Sequence, residues 1–475
     1  MTTGYILSRY RPRYVRSLVY MLQASEYDIR DYLKWYHRTK DFARVEKRKH
    51  LVKTGKALLL LSIGWILQWS LYGTALALLW LRPRAPEFAF GVILFAPFII
   101  AYGMVIVLTT IRFFVQRPVE YFLLKQARKK LARHKAVKIA IAGSFGKTSM
   151  REILKTVLSH GKKVAAPPES FNTPLGIRKF VNELTGDEEV LIFELGEYYP
   201  GDVSALCHLV DPQWGVITGV NEAHLERFGS LDLTAKTVFE LTDWVGITPL
   251  YVNGESKLAR ENARAGDLVY NRHGVGAWRV EDPASDLTGT AYTLVKGGTT
   301  LHLKSELLGL HQIGPLAVAA DIGFRLGLSP KEIERGVAAT KSFDHRLQPS
   351  TDQNGVITLD DSYNGNPDWV RTAINFLASL RGHRRYVTPG LVEMGDAAER
   401  VHREIGKELA ASHIEKVALI KNSVTPWLAE GLAQAHYDGE VIWFDDALSA
   451  FAALPHLTAK GDVVLLQNDW PDQYA

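Results

Sequence analysis

The stretch AIAGSFGKTSMREIL, residues 140–154, governs the reading of most of this chain. An apolar, strand-like run stops at Gly143. Gly146-Lys147-Thr148 then opens a segment in which Met150, Ile153, Leu154, Val157 and Leu158 recur at helical spacing. A glycine-bearing loop between a strand and a helix suits an anion, because glycine lets backbone come close and the first helical turn offers N–H groups without partners. Gly143 permits the turn and Gly146 the close approach. Lys147 brings a positive charge to terminal phosphates, and the Thr148 hydroxyl suits magnesium. The run Gly143-Ser144-Phe145-Gly146-Lys147-Thr148-Ser149 is a shortened phosphate loop, since the strict pattern asks for glycine where Ile141 stands. A bound nucleoside triphosphate is expected.

Downstream, apolar strands alternate with helical segments. VKIAIAG (137–143), VLIFELG (190–196), WGVITGV (214–220), GVITLDD (355–361), RRYVTPG (384–390), KVALIK (416–421) and GDVVLLQ (461–467) read as strands of largely parallel sheets. Residues 286–308 read as antiparallel. A joint near SFDHRLQPS (342–350) divides this part into two α/β domains, 137–342 and 343–475.

Upstream, ALLLLSIGWILQWSLYGTALALLWL (57–81) and FAFGVILFAPFIIAYGMVIVLTTI (88–111) carry no formal charge, and RPRAPE joins them. Each exceeds the ~20 apolar residues that cross ~30 Å of hydrocarbon. The expectation over 56–111 is a transmembrane hairpin. Its flanks are basic: residues 1–56 hold 14 Lys/Arg against 5 Asp/Glu, and residues 112–138 hold 9 against 1. With a net charge of only +5 overall, the remainder is acidic. Basic collars on both flanks place both on the cytoplasmic side and argue against nucleic acid as the partner. The basic, aromatic segment 1–55 either lies on an anionic membrane surface or forms a solvated helix, and 112–136 reads as a basic linker. A single cysteine, Cys207, excludes an internal disulfide framework.

Four further stretches narrow the chemistry: SFNTPLG (170–176), NEAHLERFGSLDLTAKTVFE (221–240), LDDSYNGNP (359–367) after HRL (345–347), and VEMGDAAERVHREIG (392–406). With the loop, and in this order, they resemble the Mur ligases, the ATP-dependent amide ligases of peptidoglycan synthesis, most of all the branch that adds D-Ala-D-Ala. The resemblance runs from about Val137 to Ala475. It implies a phosphate-loop central ATPase domain, a Rossmann-like C-terminal domain, and a reaction between them that passes through an acyl phosphate.

The resemblance also implies roles. ATP would come with two magnesium ions, one held by Thr148 and Glu194 and the other by His224, with Lys236 carried as a carbamate that supports the metal. Arg346 would meet nucleotide, and Asp361, Tyr363 and Asn364 would surround ribose and base. Asn172 and Thr173 would face the acid substrate, a muramyl peptide or related precursor, to which an amino-acid or dipeptide amine is joined. The sequence departs from the family in LGLHQIGP, where Gln312 and Pro315 alter the adenine-side motif. A second departure is that the hairpin stands where family members carry the domain for the UDP-sugar end. Two rivals follow: a ligase for a lipid-linked or other carboxylate at the membrane, and a membrane-anchored ATPase that uses GVITLDD as its magnesium-binding strand.

Overall fold

A computed structural model describes all residues except 1–6, 26, 47–49, 169–170, 222–227, 247–249, 364, 393 and 469–475. The chain forms two compact units, Met1–Leu123 and Leu124–Ala475.

In the first unit, helices Gly55–Leu81 and Glu87–Ile111 lie side by side, each long and apolar enough to cross a membrane. Thr54 caps the first through Ala57 N–H at 3.2 Å. The largest exposed apolar side chains of the chain concentrate here, among them Trp69, Trp80 and Phe90. The N-terminal segment differs from both expectations for it. Its helices Tyr14–Ala24 and Ile29–Arg38 bury Tyr14, Leu18, Tyr32 and Tyr36 in one cluster with Leu60, Ile100 and Met104 of the hairpin. The physical reason lies in its tyrosines, whose rings fill the cluster while their hydroxyls reach hairpin carbonyls. Tyr14 donates to Pro97 O at 3.0 Å and Tyr32 to Ala101 O at 3.2 Å.

The second unit contains two sheets. In the first sheet the strands are β1 (Val137–Ala142), β2 (Val164–Ala165), β3 (Val190–Glu194), β4 (Trp214–Ile217), β5 (Leu250–Asn253), β6 (Leu268–Asn271), β7 (Gly274–Val275), β8 (Trp278–Asp286), β9 (Gly289–Lys296) and β10 (Thr299–Ser305). Their spatial order is 10-9-8-7-6-5-4-1-3-2. Strands β2, β3, β1, β4, β5 and β6 pair in parallel, and β6 to β10 pair antiparallel.

Side-chain alternation explains why the parallel strands read as unbroken apolar runs. Ile139 and Ile141 enter one core with Met150, Ile153, Leu154, Val157 and Leu158. Ala140 and Ala142 enter a second core on the other face with Phe180, Phe193 and Val238. The stretch read as a linker is helical over Arg117–Arg133. Its Ala127 and Leu131 belong to the second core, and Lys130 Nζ donates to Leu184 O at 2.9 Å.

The second sheet comprises β11 (Gln348–Thr351), β12 (Ile357–Asp361), β13 (Arg384–Thr388), β14 (Lys416–Ile420), β15 (Glu440–Phe444) and β16 (Val463–Gln467), ordered 11-12-16-13-14-15. Only β11 is antiparallel to its neighbour. This sheet has its own core, built on Leu359, Ile374, Tyr386 and Leu465.

Candidate functional site

The loop after β1 is shaped by two glycines for different reasons. Gly143 has φ +144°, and a Cβ there would stand 2.3 Å from Thr218 Oγ1 and 2.9 Å from Gly219 O. Gly146 has φ +75° and precedes the helix Lys147–Leu158 in the left-handed region that favours glycine. Backbone binds the loop to the neighbouring strand end, with Ser144 N–H on Gly219 O at 2.9 Å. Thr218 Oγ1 donates to the Phe145 carbonyl. The Ser144 hydroxyl is buried with no hydrogen-bond partner among the described residues, an arrangement suited to a phosphate oxygen and costly without an acceptor. Ser149 is buried on the first turn of the helix.

Five charged side chains and one hydroxyl form a cluster where β1 and β3 end side by side. Lys147 Nζ lies 2.7 Å from Glu197 Oε1 and also donates to the Gly143 carbonyl. Thr148 Oγ1 lies 3.2 and 3.1 Å from the two oxygens of Glu194. Arg151, 2% exposed, reaches Glu194 Oε2 at 3.3 Å and Glu152 at 2.7 Å. A hydroxyl and a carboxylate side by side form a hard-oxygen pair that fits magnesium. Among the described residues no group of three or more His, Cys, Asp or Glu gathers around them.

Glu197 and Arg151 were missed by the sequence reading. The signal for Glu197 was present in ELGE (194–197), where a second acid follows the strand end. Arg151 carried none, because an arginine on the fifth helical residue reads as solvated.

Asn172 joins this cluster: its carbonyl accepts Gly196 N–H at 2.9 Å, and its side chain lies against Gly196. The Thr173 hydroxyl instead caps the helix Pro174–Glu183, accepting Gly176 N–H at 3.3 Å. Lys236 is exposed on the helix Leu231–Phe239 and has no hydrogen bond or ion pair with a described residue. His224 lies outside the described residues, as does Asn364.

In the second sheet, Arg346 stacks its guanidinium 4.6 Å from the centre of the exposed Tyr363 ring. Asp361, at the end of β12, is 1% exposed. It accepts Trp369 Nε1–H at 2.7 Å, Gln467 Nε2–H at 2.7 Å and Leu347 N–H at 3.1 Å. Burial pushes its carboxyl up to about 7, against the opposing pull of these donors.

The two sheets are joined near these residues. Asn221, just past β4, donates to Asn366 Oδ1 at 2.6 Å and to Asp368 at 3.2 Å. His311 packs edge-on against Trp369, with centroids 4.8 Å apart, and burial lowers its imidazole to about 4, which keeps it neutral.

Two family models match: the Mur ligase middle domain over residues 141–322, and the Mur ligase, glutamate ligase domain, over residues 345–467. Among curated relatives, a UDP-N-acetylmuramoyl-tripeptide--D-alanyl-D-alanine ligase of Mycobacterium leprae is 28% identical over 363 residues, covering 69% of this chain and 70% of its own. The protein of the same name from Bacillus subtilis is 24% identical over 334 residues, covering 69% and 72%. Among solved structures, MurF from Acinetobacter baumannii superposes with a TM-score of 0.66 at 20% identity, covering 74% of this chain and 77% of that one. MurF ligase from Thermotoga maritima in complex with ADP gives 0.64 at 23% identity, covering 74% and 80%.

Proposed function

The chain belongs to the Mur ligase family, and from that membership we propose that it is an ATP-dependent, ADP-forming ligase of cell-wall precursor synthesis. It joins D-alanyl-D-alanine to a muramyl peptide. A carboxylate oxygen of the peptide takes the terminal phosphoryl group of ATP and ADP leaves. The amine then attacks the acyl carbon, phosphate leaves with the bonding pair, and the nitrogen loses a proton to give the amide.

The observation that carries this reading is the cluster at the ends of β1 and β3, where the unsatisfied Ser144 hydroxyl, Lys147 and the Thr148–Glu194 pair converge. In this proposal residues 143–149 are the phosphate loop of a central ATPase domain, 137–342, and residues 343–475 are a Rossmann-like partner domain. Magnesium held by Thr148 and Glu194, with a second ion toward His224 and a carbamylated Lys236, would supply positive charge against the repulsion between carboxylate and triphosphate. Lys147 exchanges Glu197 for phosphate oxygens, and Arg151 holds the Glu194 carboxylate in place. Asn172 and Thr173 face the acid substrate. Arg346, Tyr363 and Asn364 meet the nucleotide, and Asp361 acts through the turn it anchors.

The hairpin is proposed as an anchor in the cell membrane, with the basic flanks and the ligase part on the cytoplasmic side. A lipid-linked acceptor fits that location as well as a UDP-linked one.

The motor reading loses its support. Its supposed magnesium strand, β12, lies in a different sheet from the loop, and Asp361 is sealed by Trp369 and Gln467. Incubating the full chain with ATP, magnesium, D-alanyl-D-alanine and a UDP-muramoyl tripeptide tests the proposal by mass spectrometry. A new amide matched by ADP and phosphate is expected. ADP release without amide, whatever acceptor is offered, would leave an ATPase and overturn the ligase.

A further inference from the structure

Glu197 is a buried charge whose partner changes during the proposed reaction. Its side chain is 1% exposed, and Oε1 lies 2.7 Å from Lys147 Nζ. The carboxylates of Glu194 and Glu152 share a different cation, the buried Arg151, at 3.3 and 2.7 Å. Glu197 is thus paired with the one cation of the cluster that turns to phosphate oxygens when nucleotide binds. Taking one partner from a buried ion pair leaves an uncompensated charge, which is strongly unfavourable. A second cation is then needed where Lys147 stood.

The surroundings of Glu197 indicate which cation that is. The phosphate loop lies on one side, through Lys147. On the other, the preceding residue Gly196 donates its N–H to the Asn172 carbonyl at 2.9 Å. The packing is close enough that a Cβ on Gly196 would stand 2.8 Å from that oxygen. Asn172 lies in the loop proposed for the acid substrate. Glu197 therefore stands between the terminal phosphate and the acid, where the acyl phosphate forms and the amine must arrive. At neutral pH an amino-acid or dipeptide amine arrives largely as an ammonium ion.

We propose that Glu197 is the binding site for the ammonium group of the incoming amine, opened when nucleotide draws Lys147 away. One buried carboxylate serves two cations in turn, and the amine binds only after ATP. An ammonium suits a single carboxylate, to which it donates charge-assisted hydrogen bonds. Magnesium asks for several oxygens and has the Thr148–Glu194 pair beside it. The inference rests on the ligase reading and adds to it the order of binding and the residue that receives the amine.

Equilibrium binding of labelled D-alanyl-D-alanine to the full chain tests it, with a UDP-muramoyl tripeptide present throughout. It is measured with and without magnesium and a non-hydrolysable ATP analogue. The analogue should tighten dipeptide binding about tenfold, the effect of one hydrogen bond to a charged group. The dipeptide should tighten the analogue by the same factor. Glu197→Gln, which keeps the shape and removes the charge, should abolish this coupling. N-acetyl-D-alanyl-D-alanine, which has no ammonium group, should show no coupling in either protein. In turnover with ATP, the variant's KM for the dipeptide should rise about tenfold. Hydroxylamine, an amine uncharged at neutral pH, should give hydroxamate within about twofold of the parent rate.

Coupling that survives in Glu197→Gln, or that the acetylated dipeptide shares, would overturn the ammonium site. A shifted magnesium requirement with dipeptide coupling intact would make Glu197 a metal ligand instead. Loss of hydroxamate together with amide would reduce it to a support of the phosphate loop. A parent chain that forms neither product from the muramyl peptide would overturn the ligase reading, and the inference with it.

Discussion

Glu194 and Asp361 both end a parallel strand and both are nearly inaccessible, at 6% and 1% exposure, yet their surroundings give them opposite characters. Glu194 is flanked by a hydroxyl and a buried guanidinium, Thr148 and Arg151, in a cluster that also brings Lys147 beside Glu197. Asp361 meets an indole, an amide and a backbone N–H, none of which carries charge, so burial dominates and its carboxyl rises to about 7. An acid at a strand end is therefore suited to a cation or to a structural anchor according to what the neighbouring strand and the following helix bring to it. The first region brings a buried guanidinium into contact with its acid, and the second brings neutral donors, with the Arg346 charge acting only as a minor opposing pull.

The largest effect that would sharpen this contrast is at the charged end. Lys147→Ala should lower turnover by about a hundredfold or more, because the phosphate charge then loses its nearest fixed cation. Near-normal trapping of acyl phosphate in a single turnover would break the assignment of the loop. Lys236→Ala comes next. Tens-fold slower turnover is expected on the order of losing one electrostatic support, with partial recovery in short-chain carboxylates that would stand in for the proposed carbamate. Normal rates across a magnesium titration would remove Lys236 from the site.

At the sealed end the expected effect is on stability and its pH dependence. Asp361 binds its proton more tightly folded than unfolded. Its contribution to stability is therefore greatest below the usual carboxylate range, near 4, and is lost as pH rises through about 7. Asp361→Asn should flatten the change in denaturation midpoint between pH 5 and pH 8 while leaving the magnesium dependence of the rate alone. A variant with the parent's pH slope would show that Asp361 is ionised throughout.

The smallest effect concerns the link between the two ends. Asn221→Ala removes contacts to Asn366 and Asp368 and should cost about 1 kcal/mol of stability. It should raise KM for ATP more than it lowers kcat. An unchanged KM would mean that the join between the sheets does not shape the nucleotide site.

Several elements were legible residue by residue. The apolar residues of the helix after Thr148 all lie in one core, and those of β1 divide between two, because 3.6-residue and two-residue periods are local consequences of backbone geometry. Strands β5 and β15 were not read. LYVN and EVIWF are short, and strand pairing with β4 and β14 supplies what propensity alone does not. The N-terminal tyrosines of residues 10, 14 and 32 read as surface text because nothing local shows which carbonyls they reach. Their partners at Leu94, Pro97 and Ala101 are 69 to 84 residues away.

By itself, the sequence determined the alternation of strands and helices, the conformational freedom needed at Gly143 and Gly146, the two long apolar helices and the motifs that mark the family. Each depends on residue type and spacing within a few turns of chain. Only the tertiary structure decided that Glu197 is the partner of Lys147, that Arg151 is the buried support of Glu194, and that Asp361 is sealed rather than open to a metal. Those roles arise from the desolvation and charge of neighbours brought in from distant segments, and a carboxylate takes its character from the medium and ions around it rather than from the residues beside it in the chain.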